Sequence, residues 1–360
     1  MKQNPIIVLA ATLVTMLSLG WILYIGRPII LPLVTAVIVV YIMTSVSNAI
    51  HQNHVLRHVP LPVVRFSLLV GFTAIFYALA VMTASTVREI SAVTPQYEAN
   101  IDRFLEGIAT RFGLDRQTVW DEVHAATIGA FDLHSVLVGM LGGFTNVGAT
   151  VFLIAIYAAF LMGERRGFSD KIKAAFETPD QANLTLNVVR EINHRISDYL
   201  VVKTLINIVL GGISFVILWF FGVDFALFWA VLIGFLNYIP YVGSIVGVVF
   251  PVVLSLAQFG SLGLTLALAV LLTIAQMVMG NYIEPRVIGR QVNLSPLVVL
   301  VALSVWTALW GIPGAILAVP LTSVMAIILG SFDGTRFIAV LLADQVEPES
   351  PAAETRQAEP

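Results

Sequence analysis

GFLNYIPYVGSIVG, residues 234–247, lies inside an uncharged run from Phe225 to Phe259. The run is long enough to cross a bilayer, for which about 20 apolar residues suffice. Yet Asn237, Pro240, Gly243 and Gly247 interrupt its centre. Proline removes a backbone donor and crowds the carbonyl four residues back, and an unpaired polar group facing lipid is expensive. Such backbone persists at membrane depth only where protein buries it or where it lines water. The stretch is therefore either the tip of a broken hairpin beside a solute path or an ordinary kinked helix packed by its neighbours.

Working outward, the whole chain has the composition of an integral membrane protein. Of 360 residues, 58% are hydrophobic and only 11% charged, against about 25% charged in soluble proteins; the mean hydropathy is +0.91. Apolar runs of about 20 residues recur where a transmembrane barrel would show alternating segments of about 10, so the spans are expected to be helical. The fold class is all-α and polytopic. The first run, following Lys2, is too long for a secretory leader and lacks a cleavage signal, which predicts a retained first helix. The absence of cysteine excludes disulfides and thiolate metal sites. No basic stripe of the kind that binds nucleic acid is present.

Candidate spans run over Ile6–Ile25, Ile29–Val46, Leu61–Ala84, Val147–Met162 and Val201–Phe221, followed by apolar blocks at 225–259, 261–283 and 296–329. That makes about eight membrane segments. Sidedness follows from Lys and Arg placement. Segment 163–203 carries Arg165, Arg166, Lys171, Lys173, Arg190, Arg195 and Lys203, whereas 87–146 has four arginines and twice as many acids. The first is expected to be cytoplasmic and the second outside, with both termini cytoplasmic and Arg27 the exception. Block 225–259 then starts and ends outside. Its arms, Phe225–Leu236 and Ser244–Gln258, rise only about 18 and 22 Å, short of a core of about 30 Å, so it reads as a re-entrant hairpin.

Block 296–329 repeats the design from the cytoplasmic side, with two arms flanking Trp310-Gly311-Ile312-Pro313-Gly314. Paired Gly/Pro-interrupted segments of opposite orientation are a pointer to a transporter substrate site. The expected organisation is three transmembrane helices in 1–86, an extracytoplasmic amphipathic segment over 87–146 with Tyr97, Ile101, Leu105, Ile108 and Phe112 on one face, the remaining spans and both hairpins in 147–330, and a tail over 331–360 whose last fifteen residues have a disordered, acidic composition.

Asn237, Pro240, Gly243, Ser244, Gly311, Pro313 and Gly314 are the expected substrate-pathway residues, with the two tips meeting near the midplane. Gly243 and Gly247 also form a G-x-x-x-G, which by itself signals close helix packing. Glu284 and Arg286 are candidates for coupling or gating, because ionisable groups at membrane depth are costly and usually functional; the alternative is a helix end obeying the charge rule. The trios His51, His54, His58 and Glu191, His194, Asp198 have helical metal-ligand spacing but sit among charged loop residues and read as solvated faces, so no metal is expected. None of the four lysines follows a glycine, which excludes a phosphate-binding loop. Neither G-x-S-x-G nor H-E-x-x-H occurs, so no enzyme, catalytic residue or cofactor is expected.

GFLNYIPYVGSIVGVVFPVVL, NYIEPRVIGRQVNLSPLVVLVAL and GIPGAILAVPL together closely resemble the C-terminal signatures of the AI-2E (autoinducer-2 exporter) transporter family, and RPIILPLVTAVIVVYIMTSVSNAI resembles its second-helix region. The resemblance extends over roughly residues 5–330 and places Pro240, Gly243, Pro285, Arg286, Pro296, Gly311, Gly314 and Pro320 at motif positions. It implies a multi-pass protein of the bacterial inner (cytoplasmic) membrane, homo-oligomeric, that exports a small polar signal molecule or, in some members, exchanges Na⁺ or another cation for H⁺. A small residue more typically stands where Asn237-Tyr238 occur here, and Gly-Pro where Ser244-Ile245 occur; these departures bear on the solute. Three readings remain: a secondary transporter of an autoinducer-2-like solute working by alternating access, a cation/proton antiporter, and a non-transporting membrane scaffold.

Overall fold

The computed structural model describes residues 5–52, 59–112, 147–165, 167–288 and 292–345. Among these the secondary structure is helical, with no strand. In chain order the helices are α1 (Pro5–Ile25), α2 (Arg27–Gln52), α3 (Leu61–Phe112), α4 (Val147–Glu164), α5 (Phe168–Ala175), α6 (Pro179–Phe220), α7 (Ala226–Leu236), α8 (Val242–Phe259), α9 (Leu262–Val278), a π-helical turn (Met279–Ile283), α10 (Glu284–Ile288), α11 (Pro296–Trp310), α12 (Ile312–Gly330) and α13 (Arg336–Leu342). Six are long and apolar enough to cross a membrane, or up to seven if α4 and α5 are one bent span; α1, α7 and α11 add shorter apolar stretches. The chain is a polytopic all-α membrane protein.

Two expected boundaries dissolve into longer helices. The third span does not stop at residue 86 but continues as one helix to Phe112, because the amphipathic face beyond it keeps the same helical period. Likewise the charged segment before Val201 is no loop: α6 runs unbroken from Pro179 to Phe220. Residues 113–146, His54, His58 and the last fifteen residues lie outside the described residues.

The chain divides into two compact units, residues 1–168 with 200–288, and residues 169–199 with 289–360. In the first, Leu210 and Leu218 of α6, Ile233 of α7, and Leu268 and Leu272 of α9 are almost wholly buried, forming one apolar core that also holds Ile90 and Tyr97 of α3. A second cluster joins Ala36, Val39, Val40 and Met43 of α2 to Ile154 and Ala158 of α4. Conversely, Leu17, Trp21, Phe66, Phe160, Trp219 and Phe220 are more than half exposed. Without a hydrophobic force between helices in lipid, such side chains belong on the acyl-facing surface.

Both broken blocks are helical hairpins. In the first unit α7 and α8 are joined by residues 237–241, where Tyr241 takes a positive φ of 62°, a conformation that strains a non-glycine residue. In the second unit α11 and α12 meet at Gly311 alone, with φ 69°. The same device closes each turn. A Cβ on Gly243 would overlap the Leu236 carbonyl oxygen, and one on Gly314 would overlap the Trp306 carbonyl oxygen. In both hairpins the returning arm presses a glycine against the backbone of the outgoing arm. Gly243→Ala and Gly314→Ala should therefore each cost about 1–3 kcal/mol by overpacking. Gly212→Ala, whose Cβ meets nothing within 4 Å, should be neutral or slightly stabilising in its helix; thermal unfolding in detergent separates the three.

Candidate functional site

In the first unit the break at Asn237–Tyr241 satisfies most of its own backbone. The N–H groups of Asn237, Tyr238, Ile239, Val242 and Gly243 donate to carbonyls three or four residues back, or in one case two, at 2.6–3.3 Å, and Pro240 has no N–H to lose. Ser244 turns its hydroxyl onto the Tyr241 carbonyl at 2.8 Å. The tip side chains then dock on α6. Asn237 Nδ2 donates to Asn207 Oδ1 at 2.8 Å, and the Tyr238 and Thr204 hydroxyls are 2.6 Å apart.

The contact with α6 falls well inside that helix: Asn207 precedes Phe220, its last residue, by thirteen positions, about 20 Å at 1.5 Å per residue. Gly234 enables the approach, since a Cβ there would come within 2.8 Å of the Asn207 carbonyl oxygen, and Gly211 lies within 3.2 Å of the Ala230 oxygen on the same criterion.

One turn beyond Asn207, away from Phe220, Lys203 Nζ meets Glu284 Oε1 at 2.5 Å. The Lys203 side chain is only 4% exposed, and Glu284 is 24% exposed. The counter-ion of Glu284 is Lys203, not Arg286. Residues two apart on a helix face different sides, and the Arg286 guanidinium instead stacks over its neighbour Tyr282 at 4.3 Å. Desolvating two charges costs several kcal/mol per ion before their attraction is counted, so a buried pair is weak as a stabilising device and at membrane depth points to function. On the other side of the hairpin, Gln276 of α9 is buried and its Nε2 has no partner; that nitrogen lies 3.4 Å from where a Cβ on Gly247 would stand. An orphaned buried amide donor fits an acceptor oxygen on a small solute.

The outer ends of the hairpin are tied to α3. Tyr97 donates to Asp224 at 2.7 Å, Asn100 donates to the Ala257 and Gln258 carbonyls, and Gln258 bridges Asp224 N and Gly222 O at 2.9 Å each. The amphipathic continuation of α3 thus clamps the hairpin's base instead of lying free.

In the second unit Gly311 and the buried Gly314 form the tip, while Pro313 and Ile312 are exposed. Trp306 packs against Trp310 with the rings tilted and their centroids 5.0 Å apart, and donates from Nε1 to Thr322 at 3.1 Å. Of the second residue trio, Glu191 pairs with Arg195 and the exposed His194 with Asp198. No group of three metal-ligating side chains occurs among the described residues.

Lys203, Thr204, Asn207 and Gln276 are candidate site residues that sequence reasoning missed. By position Lys203 counts among the cytoplasmic positive charges, which hides its role. The available signal is its period: Lys203, Asn207, Gly211 and Ser214 recur at steps of three and four in an otherwise apolar stretch, a polar stripe on one helix face. Lys203→Met should destabilise the protein by about 3 kcal/mol, the low end for breaking a buried pair because Glu284 retains some water. The double variant Lys203→Met/Glu284→Gln should recover to within about 1 kcal/mol of the parent; a double-mutant cycle in chemical unfolding measures both.

The sequence has counterparts among known proteins. The sequence profile of the AI-2E family transporters matches residues 9–333. The chain is 32% identical to the AI-2 transport protein TqsA of Escherichia coli strain K12 over 322 residues, covering 88% of this chain and 90% of that one. It is 28% identical over 324 residues, again 88% and 90% of the two chains, to a Haemophilus influenzae protein provisionally described as a transport protein. A similarly described protein of Borreliella burgdorferi is 32% identical over 249 residues, 69% of this chain and 67% of its own. With the profile running through nearly every helix and both broken hairpins, the chain belongs to the AI-2E transporter family.

Proposed function

We propose that this protein is a secondary transporter that moves a small polar solute, of the autoinducer-2 class, across the bacterial inner membrane by alternating access. One observation carries the reading: the tip at Asn237-Tyr238, in the middle of an apolar block, hydrogen-bonds a polar stripe about 20 Å of helix inside α6. Polar side chains and irregular backbone inside a membrane are kept where protein buries them or where they line water, and a broken hairpin paired with a second one favours the latter, a solute path. Asn237, Pro240, Gly243 and Ser244 line it in the first hairpin, and Gly311, Pro313 and Gly314 are their counterparts in the second. The unpartnered Gln276 amide suits a solute rich in hydroxyl and carbonyl oxygens. The name of the Escherichia coli relative, an AI-2 transport protein, supports the solute class. Lys and Arg placement supports cytoplasmic termini, an outside-facing first hairpin and an inside-facing second one, and the family resemblance supports a homo-oligomer.

A second reading, exchange of a monovalent cation for protons, is favoured by the Lys203–Glu284 pair. Here Glu284 is the coupling group, and Arg286, exposed beside it, a gate residue. Because the native chain lacks cysteine, Ser244→Cys and Ile312→Cys give single labelling sites. Both should react with small aqueous thiol reagents in the membrane-embedded protein, and purified protein in proteoliposomes should accelerate efflux of hydroxyketone signals. Labelling absent at both positions in every condition removes the hairpin pathway, and flux of neither hydroxyketones nor cations leaves the scaffold reading.

A further inference from the structure

We propose that the cavity formed by α12, α13 and the first half of α6 in the second unit is the seat of an anionic phospholipid of the cytoplasmic leaflet, its phosphate on Arg195 and Arg336 and an acyl chain along α12. The proposal goes beyond the transport reading and does not depend on it.

The cavity is a built feature of the fold. Its volume of about 1050 Å³ stands at the top of the range of about 300–1,000 Å³ for small-molecule sites, far more than a lone anion fills. Ser323 and Ile327 of α12 line it, with Arg336 and Val340 of α13 and with Glu191 and Arg195 of α6. The chain straps α13 in place. The Leu342 carbonyl accepts from the Ser295 N–H at 3.0 Å, and Asn293 Nδ2 donates to the Gln345 carbonyl at 2.7 Å. Asn293 Oδ1 in turn accepts from the N–H groups of Asp344 and Gln345 at 3.1 and 3.0 Å. Asn293 and Gln345 also line the cavity, so these bonds fix its shape.

The lining selects an amphiphile with an anionic head. Among the described residues its ionisable members are Arg195, Arg336 and Glu191, which leaves one unit of positive charge. Glu191 engages Arg195 through Nη2 at 2.9 Å, but a guanidinium carries five N–H donors in a planar fork that matches phosphate geometry. Further into α12, Ser323 is only 6% exposed and its Oγ has no hydrogen-bond partner, although a helical serine can bond the carbonyl four residues back. Seven residues separate Ser323 from Gly330, the last residue of α12, or about 10 Å of helix. A buried hydroxyl inside the helix end fits an ester carbonyl of a glycerol backbone, which inorganic phosphate does not offer, and the apolar lining at Ile327 and Val340 fits an acyl chain. The position agrees with this chemistry. α12 is a candidate membrane span, and α13, RFIAVLL, follows its end with no acidic residue. Lys and Arg placement puts that end in the cytoplasm, where the leaflet is anionic and basic pockets between helices take lipid headgroups.

The test is native mass spectrometry of the full chain, released from detergent after incubation with equal amounts of phosphatidylglycerol and phosphatidylcholine of matched acyl chains. Phosphatidylglycerol should be retained about fivefold or more over phosphatidylcholine, the effect of one unit of charge at a membrane surface. Arg336→Gln should remove that preference. Glu191→Gln, which takes the acidic neighbour from Arg195, should raise it about fivefold further, a gain that misfolding does not produce. In a parallel arm, millimolar inorganic phosphate should leave the bound phosphatidylglycerol in place, which separates a lipid headgroup from a free anion. Equal retention of the two lipids by the parent, a preference unmoved by both substitutions, or displacement by phosphate overturns the proposal. A chain that holds neither lipid gives the cavity to the acidic segment 346–360 or to a second copy, and overturns it likewise.

Discussion

A backbone amide cannot be left unpaired in hydrocarbon, and this constraint shapes the first hairpin. Breaking a helix at Asn237–Tyr241 frees donors in the middle of an apolar block, where few other partners are at hand. The tip answers by closing short turns on itself and by placing a proline where no donor is available to lose. Its remaining polar atoms are on side chains, and these can be satisfied only by another polar surface inside the membrane. The Asn207 and Thr204 face of α6 is that surface. The stripe on α6 and the break in the 225–259 block are each unfavourable alone and meet through these two hydrogen bonds.

The close fit has a steric condition. Gly211 and Gly234 let α6 and α7 approach until backbone meets backbone, and Gly243 lets α8 fold onto the end of α7. In the second unit Gly314 performs the same service for α12 against α11. The two hairpins share little sequence, yet each uses a positive φ at the tip and a glycine against the carbonyl of the preceding arm. The resemblance is one of mechanics: a tight turn of two helices without a polar loop requires a residue with no Cβ where the arms first touch.

Charge adds a further element. Lys203 and Glu284 come from segments eighty-one residues apart and would each be a liability if solitary in the membrane. Their pairing lies beside the tip, while the opposite end of the hairpin is clamped by Tyr97, Asn100, Asp224 and Gln258. The base is bound by neutral and charge-assisted hydrogen bonds to α3, and the tip by two hydrogen bonds to α6, beside which the ion pair joins α6 to α10.

Composition, the recurrence of apolar runs and two Gly/Pro interruptions were enough, by themselves, to define an all-helical membrane protein with two broken blocks and to single out Asn237, Pro240, Gly243, Gly311, Gly314 and Glu284. These features are legible because lipid imposes length and hydrophobicity locally, residue by residue. The termini of α3 and α6 were not, since an amphipathic or charged helix continuing out of a span carries no local stop signal. Nor was the partner of any polar residue. That Glu284 meets Lys203 instead of Arg286, that Asn237 meets Asn207, and that Gln276 stands unpartnered beside Gly247 depend on which helix faces which. Only tertiary packing decides that, because a charge two residues away in sequence points off to another side, while one eighty-one residues away can arrive at 2.5 Å.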